Sequence, residues 1–136
     1  MQHNRHKEQG MTFIELMIVI VIISVLASVA LPSWNAMVQK SRRSDAVNIL
    51  LLAQVEQEKY RANNTSYASS MSDLGLSTYD SSAREHYQVT VQSASATAYL
   101  ITAAPNGAQA GDTECGTFAI RQTGPEHSGY AALSCW

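Results

Sequence analysis

The feature that most constrains this chain is an apolar run from Met11 to Leu31, close to the start of the sequence. Its polar side chains stand at only four positions, which are Thr12, Glu15, Ser24 and Ser28. At about 1.5 Å per residue, a helix of this length reaches roughly 31 Å, the thickness of the hydrocarbon core of a bilayer. A basic segment and a glycine precede the run, and no small-x-small site ends it. We therefore expect the run to stay on the mature protein.

One carboxylate, that of Glu15, lies inside this run. A charge in hydrocarbon costs at least about 2.5 to 3.5 kcal/mol, so this residue requires a partner or a local role. The stretch Thr12-Phe13-Ile14-Glu15 fits a T-x-x-E capping box, and the helix dipole favours an acid in the first turn. Capping and pairing with a partner are compatible, and both interpretations stay open.

The N-terminal residues resemble those of the type IV pilin family. The resemblance rests on a short basic leader ending in Gly10, the stretch Met11-Thr12-Phe13-Ile14-Glu15-Leu16, the apolar run and Pro32. It implies that a prepilin peptidase cuts between Gly10 and Met11, and that Met11 is then N-methylated. It also implies that Glu15 pairs with the N-terminal amine of a neighbouring subunit during assembly. Family members usually begin with Phe, and Met11 departs from this pattern while leaving the cleavage intact.

The chain is expected to contain four segments. Residues 1–10 form a cleaved basic leader, 11–32 a transmembrane and assembly helix, 33–63 a helix continuing into the head, and 64–136 the globular head. Pro32 removes a backbone donor and should bend or locally open the helix, and the resemblance implies a flexible point there. Beyond it the sequence has no Pro or Gly before an Asn-Asn pair at 63–64, which predicts an uninterrupted helix.

The second half of the helix changes character along its length. The polar segment 40–45 is expected to be solvated or paired across subunits. Residues 49–53 are apolar almost all round, so the head should cover one face and neighbouring subunits part of the other. The polar residues between 54 and 59, Gln57 among them, predict a wet face.

The rest of the sequence predicts an α+β fold, in which a long N-terminal α-helix, half transmembrane and half amphipathic, packs on a small antiparallel sheet. Alternating patterns predict strands around 87–91, 99–103 and 117–121, and Gly and Pro mark turns at 105–107 and 123–125. Short links predict a β-meander. Residues 130–136 should be a last strand or an extended tail. The segment 64–85 reads as a packed loop or a functional surface, fixed by Tyr67, Met71, Leu74 and Leu76.

A head this small needs a covalent link, and the two cysteines, Cys115 and Cys135, can supply it. A disulfide between them would close a loop of about 20 residues, for which chain entropy suggests about 3 kcal/mol. The alternative is two buried free thiols. Disulfides belong to oxidising compartments, so the head is expected to face the periplasm or exterior. The stretch 115–120, with Gly124 and Ser134-Cys135-Trp136, resembles the C-terminal half of minor pilins of the PilE type.

We find no pattern that indicates catalysis, a cofactor or a metal ion. No glycine loop fits a phosphate cradle, and His3 and His6 have no third ligand near them. A serine, His86 or His127 and an acid would form a catalytic triad only if the fold brought them together, which the sequence alone does not indicate. From residue 64 onward there are two basic residues against six acids, the wrong sign for releasing counterions from phosphate. Direct nucleic-acid binding is therefore not expected.

The resemblance implies a structural subunit of a type IV pilus, minor rather than major, that supports pilus biogenesis, twitching motility, adhesion or DNA uptake. The alternatives are a major pilin, a type II secretion pseudopilin and a DNA-uptake receptor minor pilin. The main pseudopilin typically carries a calcium site, for which the late acids Asp112, Glu114 and Glu126 are sparse. The implied partners are other pilin subunits, prepilin peptidase, an inner-membrane assembly platform and the membrane. The subunit would cross the inner membrane once with a periplasmic head, and later join the extracellular pilus.

Overall fold

A computed structural model describes residues 10–80 and 86–136. Apart from Gly10, the predicted leader lies outside the described residues, and so do the last five residues, 81–85, of the predicted 64–85 loop. Contacts divide the chain into two compact units, one ending at Met37 and one running from Val38 to Trp136.

The long helix predicted by the sequence is confirmed, and α1 spans Phe13–Asn63. Its last turn carries Arg61, a cation that complements the negative end of the helix dipole. Two asparagine amides also bond carbonyls near the end of the helix, with Asn63 Nδ2 on the Lys59 oxygen and Asn64 Nδ2 on the Tyr60 oxygen. The helix continues through position 32, and the bend expected there stays a prediction. By length and composition, α1 could cross a membrane.

The predicted meander is also confirmed, as one sheet of four antiparallel strands in the order β1-β2-β3-β4. Its strands are β1 (Tyr87–Ala94), β2 (Tyr99–Pro105), β3 (Phe118–Arg121) and β4 (Gly124–Pro125). The pairing of β1 with β2 shifts register between Val91 and Ser93. Helix α1 and this sheet together form the α+β fold expected from the sequence.

Two local predictions in the C-terminal part were wrong. Gly124 and Pro125, expected in a turn, instead form β4, where Gly124 pairs with Arg121 and Pro125 with Ile120. The turn is limited to residues 122–123, and Gly124 after it has a positive φ of 117°, which only glycine adopts without strain. Residues 130–136 are neither a strand nor an extended tail, since Leu133–Cys135 form a 3₁₀ turn.

The core lies between the second half of α1, the loop from residue 64 to 80, and the sheet. Met71, Leu74 and Leu76 are buried and fix that loop, as predicted. Tyr67 is half-buried and packs edge-on against Tyr99, with ring centroids 4.8 Å apart. Burial raises the pKa of Tyr99 to about 12. The loop is therefore part of the head's packing rather than a free connection.

Candidate functional site

The first turn of α1 forms the capping box that the sequence predicted. The backbone N–H of Glu15 donates to Thr12 Oγ1 at 3.3 Å, and the backbone N–H of Thr12 donates to Glu15 Oε2 at 3.4 Å. These bonds occupy two donors that a helix start otherwise leaves free. The Glu15 carboxylate is exposed and accepts no second bond among the described residues. Its remaining capacity is open to a partner outside the chain.

The apolar run presents its side chains outward. From Met11 to Leu31, only Ala27 is even half-buried, and Phe13 exposes 77% of its surface. A continuous apolar surface of this length is not stable in water, so a bilayer or other protein must cover it. The hydroxyls of Ser24 and Ser28 bond carbonyls of their own helix at 2.7 Å, those of Ile20 and Val25. They are therefore already satisfied as donors before any neighbouring helix approaches.

The roles predicted for Gly10, Met11, Glu15 and Pro32 concern processing and assembly. In the described chain, Gly10 and Met11 are exposed, and a cut between them would leave a free amine close to the Glu15 turn. The functional roles of all four residues stay predictions.

The head covers one face of the second half of α1. Ala46, Leu50, Ala53 and Gln57 are fully buried at helical spacing, and they define the inner face of the helix. Leu51, Leu52 and Val55 are 40–51% exposed on the other side. One-sided cover by the head is therefore confirmed, whereas cover by neighbouring subunits stays a prediction.

Gln57 was wrongly assigned to a wet face. It has no exposed surface, and its amide makes two bonds to Ala68, from Nε2 to the Ala68 oxygen at 2.9 Å and from the Ala68 N–H to Oε1 at 2.8 Å. A glutamine amide presents a donor and an acceptor as a strand neighbour does, so Gln57 holds the backbone of the loop to the helix. The spacing 46, 50, 53, 57 was the signal that could have revealed it.

Arg43 joins the helix to the loop before Cys115. Its Nε and Nη2 bond Asp112 Oδ2 and Oδ1 at 2.6 and 2.8 Å, and Nη2 also bonds Glu114 Oε2 at 2.7 Å. The hydrogen bonds from Arg43 lower the pKa of Asp112, and the bond to Asp112 raises the pKa of Arg43. The expectation that segment 40–45 is solvated or paired across subunits was wrong for Arg43, because its partners lie in the same chain.

A buried amide extends this network. Gln109 is fully buried, and its Nε2 donates to Asp112 Oδ2 at 2.8 Å and to the Tyr87 hydroxyl at 3.2 Å. Burial raises the pKa of Tyr87, an effect that the bond from Gln109 partly opposes. Asp112 therefore accepts bonds from two elements at once, and it is only 1% exposed as a side chain.

The predicted disulfide is confirmed between Cys115 and Cys135, whose Cα atoms lie 5.7 Å apart. Beside it, the Trp136 ring packs edge-on against Phe118, with centroids 5.7 Å apart, and against His127 at 6.1 Å. Phe118 continues the contact to Tyr87 at 5.8 Å. The disulfide and this aromatic row attach the C-terminal turn to the sheet.

Among the described residues, one group could in principle hold a metal ion, and its chemistry does not fit one. Asp112, Glu114 and Cys115 bring possible ligand atoms within 4.8 Å of one another. The sulfur of Cys115 is in the disulfide, however, and both carboxylates bind Arg43. His127 is one of the two histidines considered above for a catalytic triad. Its Nδ1 bonds the Ala131 carbonyl at 2.8 Å, and not a serine or an acid.

Comparison with known proteins identifies two families. The family described as "Type IV minor pilin ComP, DNA uptake sequence receptor" matches residues 32–119, and the "Prokaryotic N-terminal methylation motif" matches residues 5–31. Together the two matches cover both the apolar run and most of the head.

Three characterised proteins are similar to this chain over different lengths. The type IV wide pilus major component PilA4 of Thermus thermophilus is 37% identical over 73% of this chain and 75% of its own length. The fimbrial protein EcpC of Eikenella corrodens is 50% identical, over 31% of this chain and 28% of its own. The type II secretion system core protein G of Dickeya chrysanthemi is 30% identical, over 51% of this chain and 45% of its own. The chain thus spans less than half the length of the last two.

The match to the minor-pilin family covers more than half of the chain, and the PilA4 match spans most of both proteins. The long apolar N-terminal helix, the small antiparallel sheet and the C-terminal disulfide fit the same family. By its name, the PilA4 relative is the major component of a type IV pilus. The chain belongs to the type IV pilin family.

Proposed function

We propose that this chain is a minor subunit of a type IV pilus, made as a precursor and assembled through its N-terminal helix. In this proposal residues 1–10 are the leader that prepilin peptidase removes, and Met11 becomes the methylated N-terminus. Residues 11–32 anchor the subunit and then pack in the filament, 33–63 carry the helix into the head, and 64–136 form the exposed head.

The single observation that carries this proposal is the state of the Glu15 carboxylate. It stands one helical turn from Met11 and accepts one long bond, of 3.4 Å, from the Thr12 N–H. In an apolar filament core, an unpaired carboxylate and an unpaired amine are each costly, and bringing them together offsets the cost of both. The amine of a neighbouring subunit's processed N-terminus is therefore the expected partner of Glu15.

The exposed apolar surface of the run supports the proposed path of the subunit. Before assembly the inner membrane covers it, with the chain crossing once and the head in the periplasm. At the inner-membrane assembly platform, the helices of other pilin subunits replace the lipid as its cover. The Cys115–Cys135 disulfide supports a periplasmic and then extracellular head, because such bonds persist in oxidising compartments. Pilus biogenesis, twitching motility, adhesion and DNA uptake are the activities that such a filament would serve.

Mass spectrometry of filaments sheared from the cell surface tests this proposal. The expected result is an N-terminal peptide that begins at methylated Met11, at low abundance relative to the main pilin. An abundance equal to the bulk of the filament would favour the major-pilin alternative. A processed chain confined to the membrane fraction would favour a pseudopilin, the class to which the Dickeya relative's secretion-system name points. An unprocessed chain would contradict the proposal.

A DNA-uptake receptor is the second candidate, and the description of the family that matches residues 32–119 favours it. The charge of the head argues against direct binding, since only Arg84 and Arg121 are basic beyond residue 63, and Arg121 is paired with Glu126 at 2.6 Å. Fluorescence anisotropy of labelled duplex DNA with the full-length chain in detergent separates a DNA-uptake receptor from a subunit that does not bind DNA directly. Salt-dependent, sequence-dependent binding would support a receptor, whereas no binding at low salt would support DNA uptake only through other subunits.

A further inference from the structure

A groove of about 350 Å³ lies in the head between α1 and the C-terminal turn. Lys40, Ser44 and Asn48 line it from the helix, and Ser134 and Trp136 line it from the turn. A volume of this size lies at the small end of the range for ligand sites, and it can hold one or two side chains with the backbone between them.

The groove contains unused hydrogen-bond donors, and the charged one among them is Lys40. The Lys40 side chain is exposed and has no carboxylate partner among the described residues. The side chains of Asn48 and Ser134 make no hydrogen bond within the described part of the chain. Ser44 donates to the Lys40 carbonyl at 3.3 Å, which leaves its oxygen as an acceptor. The groove therefore favours a ligand that accepts hydrogen bonds and carries negative charge.

The charge of the ligand is limited to about one unit. Arg43 also borders the groove, but Asp112 and Glu114 already neutralise its guanidinium. Lys40 is thus the one groove cation without a partner in the described chain. A nucleic-acid strand needs several cations along its phosphates, whereas a single carboxylate needs one. Val47 and the Trp136 ring add apolar surface, which suits a carboxylate carried on a peptide rather than a free ion.

We infer that this groove binds an acidic loop of the neighbouring pilin subunit, with the carboxylate on Lys40 and Asn48 and adjoining apolar atoms on Val47 and Trp136. The inference rests on the proposed function, because assembly into a filament is what brings a second subunit to this face. A groove and a loop on different surfaces make a heterologous contact, which propagates along a filament instead of closing into a dimer.

The head of this chain shows the chemistry that such a loop would offer. Asp73 is exposed within the turn 71–75, and its backbone N–H donates to Ser70 Oγ at 3.2 Å. Its carboxylate has no cationic partner in the described residues. A related subunit that carries an acid at a similar turn would present it in a fixed geometry, with little ordering left to lose on contact.

Photo-crosslinking in assembled filaments tests the inference. A photoreactive amino acid replaces Ser134 in the full-length chain, and mass spectrometry identifies the crosslinked peptide. The expected product is a peptide of another pilin subunit that contains Asp or Glu. On this background, K40E should lower the crosslink yield by about five- to tenfold, because attraction becomes repulsion, and K40R should keep it within about twofold. R42E is the matched control, since it reverses a charge on the same helical turn without lining the groove.

Several outcomes would overturn the inference. A crosslink to lipid or nucleic acid, a pilin peptide without an acid, or equal losses for K40E and R42E would each do so. No crosslink at all, with the chain present in the filaments, would also overturn it. In these cases the peptide beginning at methylated Met11 would still be found in filaments, and the proposed function would stand. Absence of the wild-type chain from filaments would overturn both.

Discussion

The guanidinium of Arg43 and the carboxylate of Asp112 meet at two points, with Nε–Oδ2 and Nη2–Oδ1 distances of 2.6 and 2.8 Å. The residues are 69 positions apart, and their side chains expose only 14% and 1% of their surface. Removing Arg43 would leave the Asp112 carboxylate without a counter-charge in a largely dry position, and removing Asp112 would leave Arg43 paired only with the exposed Glu114. Such a loss costs far more than the loss of an exposed ion pair.

Asp112→Ala should therefore destabilise the head strongly. We expect its free energy of unfolding to fall by about 3 kcal/mol, since Arg43 and Gln109 both lose Asp112 as a buried acceptor. Glu114→Ala is the control, because it removes an acid that is 78% exposed and should change stability by less than about 1 kcal/mol. Near-UV circular dichroism of the full-length chain in detergent, titrated with denaturant, measures both. Equal effects of the two substitutions would contradict a buried ion pair.

Low pH should lower the stability of the head through protonation of the Asp112 carboxylate. The hydrogen bonds from Arg43 lower the pKa of Asp112 in the folded state. The stabilisation is therefore present above the unfolded pKa of about 3.9, and it is lost as the pH falls through the lower folded pKa.

The Tm of the wild-type chain should accordingly drop more steeply below about pH 4 than that of Asp112→Asn, which starts lower but lacks this titration. Some acid dependence should remain in the variant. The pKa of Glu126 is also lowered, first by the Ser128 N–H and then by Arg121. Parallel Tm curves between pH 6 and pH 2 would show that Asp112 does not carry the effect.

Loss of the disulfide should also destabilise the head. Cys115→Ser or Cys135→Ser opens a loop with a sequence separation of 20, for which we expect a loss of about 3 kcal/mol. The wild-type chain treated with a reductant serves as the control, because it loses the bond without a new side chain. Thermal unfolding of the three samples is the measurement, and an unchanged Tm in all of them would refute the role of the bond.

Replacing Gln57 should free the 64–80 loop from the helix. Gln57→Leu keeps the volume of the side chain but leaves the N–H and carbonyl of Ala68 buried without partners, at about 1 to 3 kcal/mol for each group. Gln54→Leu is the matched control, since Gln54 is half-buried and donates to the Arg121 carbonyl at 3.2 Å rather than to the Ala68 backbone. Hydrogen exchange at the Ala68 amide should accelerate in the first variant only. Unchanged exchange there would mean that the loop is held by its apolar contacts.

The two roles of Glu15 can be separated by substitution. Glu15→Gln keeps a side chain that can complete the capping box but removes the charge, whereas Thr12→Ala breaks the capping box and keeps the charge. If Glu15 pairs with an amine, Glu15→Gln should be depleted from sheared filaments while Thr12→Ala enters them at nearly wild-type levels. Quantitative mass spectrometry of filament and membrane fractions measures this. The reverse order would make capping the main role.

Local patterns predicted the features of this chain that local chemistry determines. The unbroken course of α1 beyond position 33 follows from the absence of Pro and Gly there, and its end follows from the Asn-Asn pair at 63–64. Strands β1 and β2 follow from alternation of apolar and polar residues. The disulfide could be predicted because only two cysteines exist to form it.

Contacts between distant residues could not be predicted in this way. Arg43 looked like part of a solvated segment because its partners lie about 70 positions further along the chain. Gln57 looked exposed because polarity alone was considered, although its position in the helical period placed it on the inner face. The β4 strand was missed because it is two residues long and contains Gly and Pro, which sequence patterns assign to turns.

The register shift between Val91 and Ser93 bears on how such heads tolerate crowding. In the described part of the chain β1 is an edge strand, and an edge of eight residues is long enough to template pairing with the same edge of another molecule. An irregularity of this kind twists a strand and interrupts its row of donors and acceptors. Heads held at very high local concentration along a fibre are thereby hindered from joining edge to edge. Uncontrolled aggregation through the sheet is therefore disfavoured.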